Sequence, residues 1–460
     1  MVFQIPGVRF DLDIIQKYDT PTPRYTSYPP ATELQSEFTE AEYREAIANS
    51  NQRKTPLSLY FHIPFCESAC YFCGCNVVVS NNKNIATPYL DYLVKDIQQT
   101  ASLIDSQREV VQIHWGGGTP NYLSQKQIER IFDNIRKNFS VDPGAEISIE
   151  INPRYIDKDY VFFLREIGFN RISFGIQDFH PQVQAAVNRV QPEKMLFEVM
   201  GWIKEAGFQS INVDLIYGLP YQNRQTFEET IKKTIQLDPD RIAVFNFAYV
   251  PWIKPVQKRI PESALPAPQE KLDILKMTIE ELTRSKYLFI GMDHFAKPHD
   301  ELAIAQRDYT LKRNFQGYTT WAQAELFGFG ATSVGMLEEA YAQNHKNLKD
   351  YYRAIDAGKL PICKGIKLTP DDILRRDVIM CIMSHAKLHK QDIEEKYHIN
   401  FDQYFARELN ALKALEQDGL ISLSPDDIYI TDIGRLLVRN IAVIFDARMI
   451  AKEQKFSRSI

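Results

Sequence analysis

Residues 58 to 76 read SLYFHIPFCESACYFCGCN and hold four of the six cysteines in the chain. The apolar run from Leu59 to Ile63 is ended by Pro64, which predicts a strand followed by a loop. Cys66, Cys70 and Cys73 sit on that loop with the spacing C-x3-C-x2-C, and Cys75 follows two residues on. Three thiolates this close suit a soft metal centre, either tetrahedral zinc or an iron–sulfur cluster. Structural zinc favours two separated ligand pairs, and the remaining cysteines, Cys363 and Cys381, stand alone far downstream. They read as ordinary thiols. A cubane held by three thiolates keeps one iron open to a small molecule.

Outward from this loop the chain alternates strand and helix patterns. Strands are predicted at 58–63, 111–115, 145–152, 171–177, 211–217, 241–250 and 287–293. Helices are predicted near 88–105, 125–138, 157–167, 192–206, 225–237 and 267–285. Repeated strand–helix units predict a parallel sheet with right-handed crossovers, and hence an α/β fold built on a partial or complete TIM-like β/α barrel. Functional residues then belong at strand C-terminal ends. The polar punctuation falls there: Gly116 to Gly118, Glu150, Gln177 and Asp214. Three domains are expected: an irregular N-terminal arm over 1–50, the catalytic barrel over 51–345, and a mainly helical C-terminal domain over 346–460. PTPRYTSYPP (21–30) cannot be a helix interior. It reads as a linker or surface arm, or as an arm across an active-site mouth with Arg24 and Tyr25 near substrate. Thr369-Pro370-Asp371-Asp372 has the signature of a helix start. Helices near 370–384, 389–397 and 402–417, a hairpin in GLISLSPDDIYITDIG and a last helix from 434 resemble a winged helix, read here as a lid or docking domain.

A chain of 460 residues with 44% hydrophobic and 25% charged residues is expected to be a soluble multi-part protein. The first residues, MVFQIPGVRFDLDII, lack the basic and apolar regions of a secretory signal. No apolar run reaches membrane-spanning length. The net charge of −5 and the absence of a basic stripe argue against nucleic acid as a partner. Clustered reduced thiols point to a cytoplasmic location.

Three glycines in WGGGTP (115–120) remove every Cβ, so backbone can approach a ligand or simply turn tightly. The segment lacks the lysine of a phosphate loop. Glu146, Ser148, Glu150 and Asn152 share one face of a strand. A polar row facing a barrel interior requires partners. His294 and Asp293 have catalytic side-chain types, although a histidine at a strand end is commonly structural.

C-x3-C-x2-C with Phe72 before the third cysteine resembles the radical S-adenosylmethionine (SAM) superfamily. HIPFC...CYFCGCN, RYTSYP, NFAYVP (246–251), IGMDHFA (290–296) and RNFQGYTT (313–320) are similar to the oxygen-independent coproporphyrinogen III oxidase family, and the resemblance runs over nearly the whole chain. It implies a [4Fe–4S] cluster on Cys66, Cys70 and Cys73, and two SAM molecules. It implies SAM contacts at Tyr60, Phe72, Gly117, Gly118, Thr119, Glu150, Gln177, Arg189, Asp214, Ala248 and Val334. The implied reaction is oxidative decarboxylation of two propionates of coproporphyrinogen III by a 5′-deoxyadenosyl radical, giving protoporphyrinogen IX in haem biosynthesis. A separate electron donor and acceptor, and a monomeric chain, are further implications. The resemblance also favours the arm reading of 21–30, with Arg24 as a propionate contact; Arg313, Gln316 and Tyr318 are candidates to line the substrate pocket. Cys75 lies too close to Cys73 to ligate the same cubane comfortably. It is expected near the second SAM or the substrate, as the catalytic cysteine. The rival within the superfamily is a haem chaperone; the rival from another class is a zinc-stabilised barrel.

Overall fold

The computed structural model describes residues 7–321 and 323–449. Its contacts divide into two compact units. The larger is built from 34–274 and 323–367; the smaller comprises the described parts of 1–33, 275–322 and 368–460.

In the larger unit six strands follow one another in sequence and in space: β1 (Leu57–Ile63), β2 (Glu109–Gly117), β3 (Ser140–Ile151), β4 (Arg171–Gln177), β5 (Ser210–Tyr217) and β6 (Arg241–Asn246). Each pairs in parallel with the next. Helices Ala86–Ala101, Gln125–Asn138, Lys158–Ile167, Glu193–Ala206 and Arg224–Leu237 make the crossovers, as the strand–helix alternation predicts. β1 is buried along almost its whole length, with Leu57, Leu59, Phe61 and Ile63 all at 0% exposure. Near-continuous burial is what a parallel strand covered on both faces requires. The Phe61 ring packs between Trp115 of β2 and Phe329, with ring centres 5.6 and 5.0 Å away.

Four further strands of this sheet were not among those expected. β7 (Glu325–Phe329) pairs in parallel with the free edge of β1. β8 (Val334–Met336), β9 (Ala340–Asn344) and β10 (Ile362–Lys367) then extend the sheet in antiparallel fashion. The order within this unit therefore runs β10-β9-β8-β7-β1-β2-β3-β4-β5-β6, an open run rather than a ring, so the partial form of the expected barrel is the one found. The stretch read as irregular also contains helices Leu12–Tyr18 and Glu40–Arg53. The second opens on a reciprocal capping box between Thr39 and Glu42.

At the N-terminal ends of these strands Glu325 is buried and heavily bonded. Its carboxylate accepts from Arg108 Nη2 at 2.8 Å, Arg53 Nη2 at 3.0 Å, Thr55 Oγ1 at 2.9 Å, the Ser50 hydroxyl and the Glu338 backbone N–H at 2.9 Å. One side chain thereby joins β7 to helix Glu40–Arg53 and to the residue preceding β2.

The smaller unit has its own core. Tyr25 and Tyr28, from the proline-rich stretch, are 1% and 0% exposed and pack with Leu374, Val378, Phe405 and Phe445. The Tyr25 hydroxyl donates to Asp446 at 2.9 Å. The stretch is thus a core element of this unit rather than a loose linker. Helices Pro370–Ser384, Lys390–Tyr397, Phe401–Tyr404 and Ala406–Gln417 agree with the expected ones, and strands Lys387–His389, Ile421–Leu423 and Asp427–Ile430 form a small antiparallel sheet. Thr369 caps its helix with Asp372, as the Thr-Pro-Asp-Asp signature predicts. No helix among the described residues is long and apolar enough to cross a membrane.

Candidate active site

The C-terminal ends of β1 to β5 surround a cavity of about 470 Å³ in the larger unit. Cys66, Cys70, Cys73 and Cys75 stand on its rim with Phe72 between them. The loop that carries them is tied on several sides. Cys66 Sγ lies 3.3 Å from Thr119 Oγ1. Cys70 Sγ accepts from Arg189 at 3.5 Å and from Arg154 at 3.7 Å. Ala69 O and the Tyr71 N–H bond to the 187–188 turn. Gln257, 1% exposed, donates to Phe72 O at 3.3 Å and to Ala248 O at 3.1 Å. Lys254 Nζ donates to Cys75 O at 3.2 Å.

The thiols differ in acidity. Burial pushes Cys66 up to about 11. Cys73 is drawn down to about 6, first by a hydrogen bond from the Cys75 thiol and then by the Cys75 N–H and by Lys254 and Arg189, against its own burial. Cys75 is raised by that same hydrogen bond and by burial. Among the described residues no three His, Cys, Asp or Glu side chains surround a single-ion position. Thiols spread along a rim suit a polynuclear cluster, which takes one thiolate per iron.

Across from the thiols the wall is polar, and the polar row of β3 has the partners it needs. Ser58 donates to Gln112 at 2.8 Å, and Gln112 to Glu146 at 3.0 Å. His114 meets Ser148 at 2.6 Å and Glu150 at 3.4 Å. Tyr60 stacks on His114 with ring centres 5.8 Å apart, and its hydroxyl meets His62 Nδ1 at 3.1 Å. Burial pushes Glu150 up, but the hydrogen bond and charge of His114 and the Gly117 N–H at 3.3 Å outweigh it, leaving the carboxyl below its usual range. Asp214 is pushed up to about 6, by burial first and by the Glu150 charge next, against donors from Asn212 at 2.8 Å and Ser173 at 3.5 Å. This wall of the cavity therefore carries one firm negative charge and a second that forms near pH 6, a setting for an ammonium or for hydroxyl donors.

Two buried polar atoms on this wall lack partners within the protein: Gln177 Oε1 and Arg189 Nε. Both belong to cavity residues, and each is a point where a polar ligand would be held. The glycine turn brings backbone close to that ligand. A Cβ on Gly118 would sit 2.8 Å from Pro64 C, so this residue must pass the chain just after β1 backbone to backbone. Gly117 has φ of +114° and a Cβ there would come within 2.6 Å of the His62 ring. Gly117→Ala is expected to destabilise the fold by about 1–3 kcal/mol through backbone strain alone. Displacement of His62 from its contacts with Tyr60 and Asn76 O adds to this. Urea unfolding of the variant beside the parent checks it; an unchanged midpoint would contradict the strain.

Of the residues singled out in the sequence, the three cysteines, Cys75, Phe72, Gly117, Gly118, Thr119, Glu150, Gln177, Arg189 and Asp214 line this one cavity. Tyr60 is a step behind it, through His114. Ala248 is exposed and Val334 begins β8; neither lines the cavity. Arg154, Lys254, Gln257 and the two histidines were not foreseen. His62 lies within the quoted cysteine stretch and Arg154 two residues beyond the β3 polar row, but Lys254 and Gln257 carry no local signal.

A family model for the radical SAM superfamily matches residues 60–234, and one for the HemN C-terminal domain matches 368–437. The chain is 58% identical to the oxygen-independent coproporphyrinogen III oxidase of Synechocystis, with all of both chains covered. It is 48% identical to the enzyme of the same name from Escherichia coli, over 99% of this chain and all of that one. A solved structure described as coproporphyrinogen III oxidase (HemN) from Escherichia coli, a radical SAM enzyme, superposes with a TM-score of 0.92 at 46% identity, covering 96% of this chain and 99% of that one.

Proposed function

The chain belongs to the oxygen-independent coproporphyrinogen III oxidase family of the radical SAM superfamily, and we propose that it converts two propionates of coproporphyrinogen III to vinyl groups. The product is protoporphyrinogen IX, a step of haem biosynthesis. The observation that carries this reading is the single cavity with thiols on one side and Glu150, Gln177 and Asp214 on the other. It supports a reading in which a cluster and a ligand with ammonium and hydroxyl groups face each other. A zinc-stabilised barrel gives no reason for that arrangement, and the relatives bear the name of the oxidase rather than of a haem chaperone.

Cys66, Cys70 and Cys73 would hold the [4Fe–4S] cluster that the family uses with SAM. When bound there, the cluster and SAM would supply the radical chemistry that removes a hydrogen atom from a propionate β-carbon. Each propionate then loses CO2 and passes one electron to an acceptor. Glu150, held as an anion, receives the positive groups of SAM. Gln177 Oε1 and Arg189 Nε, otherwise without partners, bond its polar edges. Gly117, Gly118 and Thr119 offer backbone, Asp214 accepts hydroxyl donors, Phe72 walls the site, and Tyr60 backs it through His114. These contacts divide between two SAM molecules, with Ala248 and Val334 giving backbone contacts, and Cys75, a non-ligand, is near the second SAM or the substrate. The donor and acceptor of electrons are separate molecules, and the chain acts as a cytoplasmic monomer.

The test is anaerobic incubation of the reconstituted protein with coproporphyrinogen III, SAM and a reductant. Divinyl product, with methionine and 5′-deoxyadenosine, is expected. Tight haem binding without vinyl product would favour a chaperone instead. Equilibrium dialysis of SAM gives the number bound.

A further inference from the structure

The segment that follows β6 holds the cysteine loop with some residues and leaves others on the surface. Lys254 and Gln257 bond to Cys75 O and Phe72 O of that loop. Trp252 and Ile253, at 70% and 64%, are the most exposed large apolar side chains among the described residues. Lys258 and Arg259 are exposed as well. Arg259 donates to the Tyr71 hydroxyl at 3.4 Å, and its guanidinium lies 5.3 Å from the centre of that ring. On the other flank of the loop, Asn76 Nδ2 donates to Lys346 O at 3.0 Å. Lys364 of β10, opposite Gln343 of β9, is drawn below the usual lysine range by burial first and by the Lys346 charge next. Between the two flanks Gly74 and Cys75 form an exposed tip.

The four stretches that meet here carry no acid. Asp and Glu are absent from 68–90, 241–261, 340–349 and 357–370, although acids outnumber bases in the chain, 59 to 54. No carboxylate among the described residues pairs with Lys258, Arg259, Lys346 or Lys364. An ordinary solvated surface intersperses both signs. Acids missing from four separate stretches that fold together give this face a single polarity. A lone exposed apolar residue is unremarkable, but Trp and Ile side by side with a cationic rim have the composition of a protein-binding patch.

We propose that Trp252 and Ile253, with Lys258, Arg259, Lys346 and Lys364 about the Cys75 tip, form the docking surface for a small acidic protein that carries one electron. The inference rests on the cluster reading, which requires an electron from a separate molecule and assigns its receiver to the thiols of this loop. The partner gives up one electron and the cluster gains it; no bond or proton changes hands. Charge selects the class of partner. A chain of net charge −5 repels an acidic protein overall, and a local positive face reverses that at short range and orients the approach. The ties from this face to Tyr71, Phe72, Cys75 and Asn76 favour an electron carrier over a lipid surface or a second copy of the chain. Neither of those has a use for nearness to the thiols.

The experiment uses the full, cluster-reconstituted chain, its Trp252→Ala variant and a variant combining Lys258→Glu with Lys346→Glu. An acidic ferredoxin and an acidic flavodoxin are titrated in turn by anaerobic calorimetry. One of them at least is expected to bind the parent, with an affinity that falls as salt rises. Trp252→Ala should bind it about 10-fold more weakly, the effect of removing an aromatic anchor. The charge-reversed variant should lose as much at low salt and show little salt dependence. Reduction of the cluster by the pre-reduced carrier, followed by visible absorption, should slow in parallel. Dithionite should reduce parent and variants alike, and their melting temperatures should agree, because the replaced side chains are exposed. Equal affinity and equal reduction rate in parent and variants would overturn the docking surface. So would phosphatidylglycerol vesicles, or a second copy of the chain, binding the parent through Trp252 where neither carrier binds. A parent that takes up no iron would defeat the cluster reading; a parent whose cluster dithionite reduces, but which binds neither carrier, would defeat the docking surface alone.

Discussion

Cys66→Ala, Cys70→Ala and Cys73→Ala should each emerge from anaerobic reconstitution with essentially no cluster iron and no divinyl product, while Cys75→Ala keeps its iron. The three thiols are the only cysteines on the rim besides Cys75, and the remaining two, Cys363 and Cys381, sit elsewhere, bonded to Asn344 O and Lys387 O. A lost ligand therefore has no replacement in reach. Cys75 differs because its N–H already serves Cys73, at 3.4 Å. In the proposed reading it supports that thiolate and faces the ligand. Iron and sulfide analysis with visible absorption reads the cluster, and circular dichroism checks the fold. Iron loss in Cys75→Ala equal to that in Cys73→Ala would make Cys75 a ligand. Groups touching the thiols should have graded effects: Thr119→Val, which removes the hydroxyl beside Cys66, is expected to weaken cluster retention about 10- to 100-fold.

The largest stability effect is expected at the other end of the strands. Glu325→Ala should cost about 3–5 kcal/mol, because Arg108 has a side chain 1% exposed and would be left as an unpaired buried charge. In a two-state melt that is a fall on the order of 10 °C. Replacing Arg108 and Glu325 together by apolar residues of similar size should recover most of the loss, since the pair rather than either member is tolerated. Burial pushes the Glu325 carboxyl up, but donors from Ser50, the Glu338 N–H, Arg53 and Thr55 prevail and hold it below the usual range. Its stabilising effect is therefore complete above the unfolded value, about 4.3, and disappears as pH falls through the lower folded value. The stability gap between parent and Glu325→Gln should be flat from pH 7 to 5 and close below about 4. A gap that persists unchanged to pH 3 would mean the carboxylate charge is not what matters.

Both predictions come from residues with unequal visibility in the chain. β4 is found over 171–177 and β1 over 57–63, almost where the alternation of apolar residues predicts them. Long amphipathic repeats announce themselves because burial of one face follows from spacing alone. β7 to β10 do not, since strands of three to six residues such as Val334–Met336 contain too few positions to show a period. Their strand character comes from the edge of β1, far away in sequence. The helix Glu40–Arg53 had a readable start in Thr39-Glu40-Ala41-Glu42, which the prolines before it obscured. In the site, the cysteines and the glycine turn are visible because several special residues crowd together. Glu150, Gln177 and Asp214 are visible because strand ends collect function. Arg189 was reachable only through family resemblance, and Gln257 not at all. A single polar residue becomes meaningful only through what it touches after folding.

The distant origin of those contacts has a consequence during synthesis. Gln257 reaches Phe72 across 185 residues, and Arg189 reaches Cys70 across 119. At roughly 5–20 residues per second, the cysteine loop waits on the order of 10–40 s between its own synthesis and that of Gln257. Four thiols spend that time beside one another with no enclosing wall, when a disulfide is the easiest bond for them to make. The cavity is therefore a late product of translation, and iron delivery has to follow it rather than accompany the loop. Ribosome-bound chains stopped well short of residue 257 should label readily at these cysteines with a maleimide, and released full-length chains should label more slowly. Equal labelling would mean that the loop needs no distant braces to close.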